Sequence, residues 1–334
     1  MRRIVDVHTY VMPAMELVYE RGTPQFRGQW PVLEGLLGIA APQRGIGDWP
    51  DPYLYLPDTG APVAGAWPQT VAPAGVKLPA EPIGDLEPGI LHDNPRGRLA
   101  AMDRAGVDCQ VISPGPSIDA CITLPSNLAA GVLGAYNRYV TTYCEQAPDR
   151  LKAVIQVHGG EPYWSAREIR ELADDPSVAG VSICLPVKLA PDEENYRPIW
   201  DAVQETGLPV VQRPGFAAAI WTPKRLLSYL RQTGVLARYP GVRFGFVGYG
   251  AGWLPESLGG VGGRERIFAA VNGRETGEEL ERLVGAIGSD CLLWESGFPY
   301  CERSYGPSQA LAGLPAGDRQ AVLEGNAARY LARA

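Results

Sequence analysis

The sequence predicts an α/β protein, namely a (β/α)8 TIM barrel with a long insertion after its first strand. Three observations support this. Short apolar, β-branched segments alternate with helical segments, as in parallel strands that helices bury on both faces. The 334 residues suit a barrel built as a single domain, 1–334. No Gly-x-Gly-x-x-Gly motif follows the first strand, which disfavours an open dinucleotide-binding sheet.

The predicted strands are short apolar runs. The first, IVDVHTYVMP at residues 4–13, is a buried strand that runs into an active-site loop. The later strands have the same character: VDCQVIS at 107–113, LKAVIQV at 151–157, VAGVSICL at 178–185, LPVVQRP at 208–214, VRFGFVGY at 242–249 and CLLWES at 291–296.

The predicted helices lie between these strands. The first places apolar residues at 99, 102 and 105 and ends at Gly106, a typical C-cap residue. The helices are predicted at 96–106, 127–146, 163–175, 195–207, 223–239, 277–288 and 318–333.

A Pro- and Gly-rich segment at residues 16–94 interrupts this alternation. It carries Trp30, Trp49 and Trp67. Such a long loop inside a compact domain is usually functional, so we expect a lid over the active site. In the alternative interpretation, the tryptophans only fix the loop to the outside of the core.

Composition restricts the partners. The net charge is −7 and no Lys/Arg block occurs, which argues against nucleic acid and anionic lipid and favours a small-molecule partner. Without a long apolar run or a signal-peptide core, a cytoplasmic protein is expected. Six widely spaced cysteines are expected to be buried, reduced thiols: Cys109, Cys121, Cys144, Cys184, Cys291 and Cys301.

Several segments resemble the amidohydrolase-2 group, the relatives of aminocarboxymuconate semialdehyde decarboxylase. They occur in the right order across nearly the whole chain: VDVHTY, RLAAMDRAGVDCQVISP, YRPIWDAVQETGLPVVQRPG, FGFVGYGAGWLP, LLWESGFPY and GNAARYL. The resemblance implies a barrel enzyme and a homodimer.

The metal site that this resemblance implies is largely missing. Members typically bind a divalent metal through His-x-His on strand 1, His before Pro on strand 5 and Asp on strand 8, with a catalytic His on strand 6. Here His8 remains, while the other four positions hold Tyr10, Arg213, Gly297 and Gly248. Because such a metal needs three or four ligands, no metal and no cofactor is expected.

A cation and a carboxylate could replace the metal. Alternation along a strand turns Asp6, His8 and Tyr10 to the barrel interior, and it places Glu295 one layer below the missing strand 8 ligand. We expect Arg213 to occupy the metal's space, held by Glu295 or Asp6, where its guanidinium could bind an anionic substrate. Imidazole titrates near neutral pH, so His8 is the expected general acid or base, assisted by Asp6 or Tyr10.

Five further side chains are candidates for substrate contact besides Arg213. Tyr249 and Tyr300 follow strands 6 and 8, Trp294 lies on strand 8, His158 ends the third strand and Trp67 lies in the lid. All of these candidates have a plainer interpretation as core filling or structural ion pairs.

The predicted function is a metal-independent enzyme that acts on a small, aromatic or cyclic carboxylate. Decarboxylation, isomerisation or cyclisation, as in tailoring steps of secondary metabolism, is favoured because no metal activates water. The resembled group includes the metal-free 2-pyrone-4,6-dicarboxylate lactonase, but that enzyme keeps its strand 8 Asp. Two alternatives remain: a catalytically silent ligand-binding or partner subunit, and a metal-dependent enzyme whose ligands are misaligned here.

Overall fold

Eight parallel strands form the centre of the protein. The computed structural model describes residues 3–11, 13, 15–30, 95–115, 118, 121, 124–185, 190–192, 194–214, 221–258, 264–298 and 307–333. The strands pair in chain order, β1 to β8, as one sheet. They are β1 (Val5–Val11), β2 (Cys109–Pro114), β3 (Leu151–His158), β4 (Val178–Cys184), β5 (Val210–Gln212), β6 (Phe244–Phe246), β7 (Ile267–Val271) and β8 (Leu292–Trp294).

Backbone hydrogen bonds bring the two edge strands together. The amide of Gly297 donates to the carbonyl of His8 at 3.1 Å, and the amide of Tyr10 donates to the carbonyl of Phe298 at 2.7 Å. The segment after β8 therefore runs beside β1. This contact closes the sheet into a (β/α)8 TIM barrel, as the sequence predicted.

Helices surround the barrel. Gly106, at φ +69°, follows α3 in the left-handed conformation that a C-terminal glycine supplies. The helices are α1 (Met15–Arg21), α2 (Pro24–Gly28), α3 (Pro95–Ala105), α4 (Ser126–Cys144), α5 (Pro162–Ala173), α6 (Arg197–Thr206), α7 (Pro223–Gln232), α8 (Val235–Arg238), α9 (Leu254–Leu258), α10 (Gly277–Ile287), α11 (Pro307–Ala310), α12 (Ala316–Gln320), a π-helical turn (Ala321–Gly325) and α13 (Asn326–Leu331).

The core has an outer and an inner part. The larger cluster fills the layer between strands and helices. The smaller cluster takes residues from strands on opposite sides of the sheet, so it fills the barrel interior. Its members include Val5, Val7, Val111, Val154, Val211 and Leu293. Apolar packing thus fills the interior up to the carboxyl ends of the strands, which we call the mouth.

Three of the differences from the sequence prediction have an evident local cause. Strand β7 was missed, because the IFAAV run lies directly after a short 3-10 turn and before a clear helix. The helix predicted at 223–239 is two helices, since Gly234 adopts φ +78° between α7 and α8. The helix predicted at 318–333 contains the π-helical turn between α12 and α13.

The insertion is described only at its start. Trp30 is buried and packs edge-to-face on Tyr19 and Phe26, with ring centroids 5.1 and 5.8 Å apart. This tryptophan fixes the segment to the core. Trp49 and Trp67 lie outside the described residues, so the lid remains a prediction.

The expectations about the cysteines and about membrane-spanning segments can be compared with the structure. Five cysteines are buried free thiols: Cys109, Cys121, Cys144, Cys184 and Cys291. Cys301 lies outside the described residues. In the described part of the chain, every helix is too short or too polar to cross a bilayer.

Candidate active site

A buried histidine and a buried glutamate meet at the mouth. Nδ1 of His8 on β1 lies 3.1 Å from Oε2 of Glu295, which follows β8, and their side chains are 1% and 2% exposed. With Nδ1 turned to the carboxylate, the second ring nitrogen is directed elsewhere. Nε2 of His8 is buried and has no hydrogen-bond partner in the described part of the protein. It is therefore the ring nitrogen that the contact with Glu295 leaves unused.

Two further donors fix the Glu295 carboxylate. The amide of Gly248 donates to Oε2 at 2.7 Å, and Nδ2 of Asn272 donates to Oε1 at 3.4 Å. Glu275 fixes Asn272 in turn, because its Oε2 accepts from the Asn272 amide at 3.2 Å. Burial, with a smaller effect of the Glu295 charge, raises the pKa of Glu275. Glu295 thus accepts three hydrogen bonds, the role of a carboxylate that orients an imidazole.

The position of Gly248 leaves no room for the histidine of the resembled group. Its φ is +79°, a left-handed conformation that glycine adopts without strain. An added Cβ would lie 2.6 Å from Cδ of Pro214 and 3.3 Å from Cε1 of His8. The end of β5 and the His8 ring therefore meet at this glycine.

Asp6 belongs to the join between β1 and β8. Its Oδ1 accepts from the Ser296 amide at 2.9 Å and its Oδ2 from the Ser296 hydroxyl at 2.5 Å. Burial raises the pKa of Asp6 to about 7, although these hydrogen bonds act in the opposite direction. The register with β2 shifts between Asp6 and Thr9, so simple alternation along β1 does not hold. Asp6 consequently supports β8 rather than contacting the His8 ring.

Arg213 lies at the carboxyl end of β5 and is buried. When the Gln156 carboxamide is oriented by its hydrogen bonds, its oxygen accepts from Nη2 of Arg213 at 2.5 Å and its nitrogen donates to Oγ of Ser182 at 3.1 Å. The expected ion pair of Arg213 with Glu295 or Asp6 is absent from the part of the chain that the structure describes. That detail of the prediction is wrong, because His8 and Ser296 bind these two carboxylates.

Two further rings at the interior, those of Tyr10 and His158, have different contacts. Tyr10 packs edge-to-face on His8, with centroids 4.6 Å apart. Nδ1 of His158 accepts from the Gly160 amide at 3.1 Å, and the residue is buried at the end of β3. A neutral imidazole that accepts at Nδ1 carries its proton on Nε2.

Behind β1 lies a buried arginine that sequence reasoning missed. Arg98 of α3 is 0% exposed and donates to Oγ1 of Thr9 at 3.2 Å, to Oε1 of Gln110 at 2.9 Å and to the carbonyl of Tyr10. It also lies over the Phe298 ring, 5.1 Å from the centroid. Arg98 thereby joins α3 to the strand that carries His8.

The other residues predicted to contact a substrate lie in different parts of the protein. Trp294 is 1% exposed and belongs to the outer core, so it does not reach the mouth. This prediction is wrong because Trp294 alternates with the inward Leu293 and Glu295. Tyr249 lines a cavity of about 460 Å3 beside Asn272 and Glu275. Tyr300 and Trp67 lie outside the described residues.

Sequence reasoning also missed Asn272, Ser296 and Gln156. Asn272 was missed because β7, which it follows, was not recognised. Gln156 is a polar residue at an inward position of the apolar strand β3, and only that position could have indicated it. No local pattern indicates Ser296, which follows β8.

The described residues do not fit a divalent metal. No group of three His, Cys, Asp or Glu side chains in the described part converges as a ligand set. Nδ1 of His8 is turned to Glu295, and the positions at 248 and 297 are glycines. At φ +71°, Gly297 has open space where a Cβ would be. A lone imidazole nitrogen is too few ligands for zinc or manganese.

Comparisons with known proteins agree with the fold. An amidohydrolase from Mycobacterium avium subsp. paratuberculosis K-10 gives a TM-score of 0.70 at 16% identity, covering 99% of this chain and 98% of that chain. The 5-carboxyvanillate decarboxylase of Novosphingobium aromaticivorans DSM 12444, complexed with manganese and a nitrobenzoic acid, gives 0.64 at 17%, covering 99% and 96%. The 2,6-dihydroxybenzoate decarboxylase from Rhizobium gives 0.61 at 14%, covering 99% of both chains.

Sequence comparison gives the family. No curated protein matches this chain. The family model Amidohydro_2, described as amidohydrolase, matches residues 5–333. Because this match covers nearly the whole sequence, the chain belongs to the amidohydrolase family.

Proposed function

We propose that this protein is a metal-independent lyase that decarboxylates a small aromatic carboxylate. The supporting observation is the buried His8–Glu295 pair, whose Nε2 has no partner among the described residues. It lies at the carboxyl ends of the strands, where barrel enzymes carry out their reactions. Two structural neighbours are decarboxylases of substituted benzoates.

Decarboxylation requires a proton on the ring carbon that loses its carboxylate. In the proposed step, the His8 imidazolium donates this proton from Nε2. The electron pair of the broken carbon–carbon bond returns to the ring, which now carries a carbon–hydrogen bond, and CO2 leaves. Solvent then reprotonates the imidazole. Glu295 compensates the imidazolium charge through Nδ1, as a carboxylate partner does for a general acid.

Arg213 positions the substrate in this proposal. A guanidinium is permanently charged and binds planar anionic groups through two parallel hydrogen bonds. Gln156 fixes one of its nitrogens, which restricts the direction in which the fork points. The described residues form no ligand set for a water-activating metal, and this supports the proposal of non-hydrolytic chemistry rather than amide hydrolysis.

A solvent-isotope experiment tests the proposal. Purified protein of measured metal content is incubated in D2O with a panel of hydroxylated benzoates, with and without a chelator, and products are analysed by NMR and mass spectrometry. We expect CO2 release with deuterium at the vacated carbon, insensitivity to the chelator, and a loss of at least about a hundredfold in His8→Gln. Arg213→Met should raise KM, while Arg170→Met, a change at an exposed arginine, should have no effect.

The two alternatives predict different results. A stoichiometric divalent ion that is lost together with activity on chelation would show a metalloenzyme. Saturable binding of a benzoate without turnover, weakened by Arg213→Met, would show a silent ligand-binding subunit. The predicted homodimer and cytoplasmic location are separate proposals, tested by light scattering and by fractionation.

A further inference from the structure

A second cavity, of about 770 Å3, lies at the end of the barrel opposite the mouth. Val5 begins β1, Cys109 begins β2 and Val178 begins β4, and all three line it. Its other wall consists of the π-helical turn Ala321–Gly325 and α13. Since catalysis in barrels takes place at the mouth, this cavity is a separate site.

Positive charge dominates the cavity lining. Arg3, Lys152 and Arg333 line it, against the single carboxylate of Glu324. Arg3 forms no hydrogen bond or ion pair with the residues that the structure describes. Nζ of Lys152 donates to the carbonyl of Pro176 at 2.8 Å, and Arg333 donates to main-chain carbonyls. Throughout the described ranges, none of the three cations forms an ion pair with a carboxylate.

The field of these cations reaches the cavity floor. Burial raises the pKa of the Cys109 thiol to about 11, while the charges of Arg3 and Lys152 act in the opposite direction. The thiol is therefore neutral at physiological pH, and thiolate chemistry does not account for the cavity. Among the described residues these cations have no carboxylate bound to them, and this is the chemical feature to be explained in a protein whose net charge is −7.

The rest of the cavity lining is largely apolar. Val5, Val178, Ala179 and Leu331 contribute aliphatic surface beside the cations. The π-helical turn leads into α13 at this wall, and such wide turns occur often at functional sites. A pocket with an aliphatic wall and a few convergent charged groups is typical of a small-molecule site.

We propose that this cavity binds a small organic anion, with a carboxylate or phosphate group at Arg3 and Lys152 and an apolar body against Val5 and Leu331. The bound anion compensates positive charge to which no carboxylate of the described residues is paired. It joins the first strands to the C-terminal helices, so it acts on stability or regulation rather than on the chemistry at the mouth.

Three probes test this proposal: 4-fluorobenzoate, phenyl phosphate and inorganic phosphate. Affinities are measured by 19F NMR or calorimetry in Arg213→Met protein, so that a predicted anion contact at the mouth is removed. We expect saturable binding, weakened about tenfold or more by Arg3→Gln or Lys152→Met, as loss of a charge-assisted hydrogen bond implies. Lys224→Met, at an exposed lysine paired with Glu256, is the matched control and should leave binding unchanged.

Arg3→Gln keeps the test valid, because this side chain has no hydrogen-bond partner within the described structure and its loss should not affect folding. Comparison of fluorobenzoate with phenyl phosphate identifies the anionic group. If none of the probes binds at millimolar concentration, or if both cavity variants bind like the control, the proposal fails. Equal affinities of phenyl phosphate and inorganic phosphate would remove the apolar part of it.

Discussion

The ring of His8 and the carboxylate of Glu295 are joined across the closure of the barrel, with Nδ1 3.1 Å from Oε2. The two residues are 287 positions apart in the sequence, on the first and after the last strand. Backbone hydrogen bonds from the segment after β8 to β1 fix their separation. The geometry of the pair thus depends on the closure of the barrel.

Glu295→Gln should lower the rate of the proposed decarboxylation by about ten- to a hundredfold. A neutral amide can still accept from Gly248 and meet the His8 ring, but it does not compensate an imidazolium. Steady-state kcat and KM of the variant and the wild type provide the measurement.

Glu205→Gln is the matched control for this prediction. Glu205 is 57% exposed and pairs with Arg170 on the surface at 2.7 Å, so the same chemical change there should leave the rate unchanged. Wild-type kcat and KM in Glu295→Gln would show that the carboxylate is only structural.

Asp6→Asn should change how stability depends on pH. The ordinary carboxyl pKa is about 4 in an unfolded chain, whereas burial raises that of Asp6 to about 7 in the folded protein. Between these values the folded state binds the proton and the unfolded state does not. The free energy of unfolding therefore falls as pH rises through this window, by up to about 1.4 kcal/mol per pH unit from this group.

Urea denaturation at pH 4.5, 5.5, 6.5 and 7.5 measures this effect. The carboxamide introduced by Asp6→Asn cannot ionise and can still bond to Ser296, so the variant should gain stability over the wild type progressively as pH rises. Asp290→Asn, at a side chain that is 85% exposed, should run parallel to the wild type. A constant difference between Asp6→Asn and wild type at all four pH values would contradict the assigned titration.

The alternation of strand-like and helical segments predicted the barrel. Parallel strands that are buried on both faces appear in the sequence as short apolar runs between helical segments. Local patterns do not show which side chains meet across the closure. The sequence therefore indicated His8, Arg213 and Glu295 as site residues but paired Glu295 or Asp6 with Arg213. The structure pairs Glu295 with His8, since that ring lies on the strand beside it.

The register of strand pairing is the second feature that the sequence does not show. The shift between Asp6 and Thr9 depends on how β1 pairs with β2, which no residue pattern within β1 reveals. Asn272 was missed for a related reason. Its strand has only five residues, Ile267–Val271, and a short apolar run is ambiguous between a strand and part of a helix.

Gly248→Ala should destabilise the protein by about 1–3 kcal/mol. The alanine would have to adopt φ +79°, and its Cβ would lie 2.6 Å from Cδ of Pro214. Gly252→Ala is the control, because a Cβ at that position meets nothing within 4 Å. Thermal and urea unfolding of the two variants give the comparison. Equal stabilities of the two variants would mean that Pro214, at the end of β5, moves easily to accommodate the added Cβ.

Arg98→Met should destabilise the protein by about 2–4 kcal/mol, because it removes the guanidinium hydrogen bonds to the side-chain oxygen of Gln110 and the carbonyl of Tyr10. Arg98→Lys should recover only part of this loss, since one ammonium group cannot reach acceptors that a planar fork serves. Arg225→Met removes an exposed arginine from the face of Trp221 and serves as the control.

The same change should reach the proposed site. Arg98 bonds to the carbonyl of Tyr10, whose ring packs on His8. Loss of this support should let Tyr10 and His8 move, so kcat should fall in Arg98→Lys even under conditions where the protein remains folded. Unfolding curves together with kcat and KM separate the two effects. Full activity in a destabilised Arg98→Lys would show that this arginine serves folding alone.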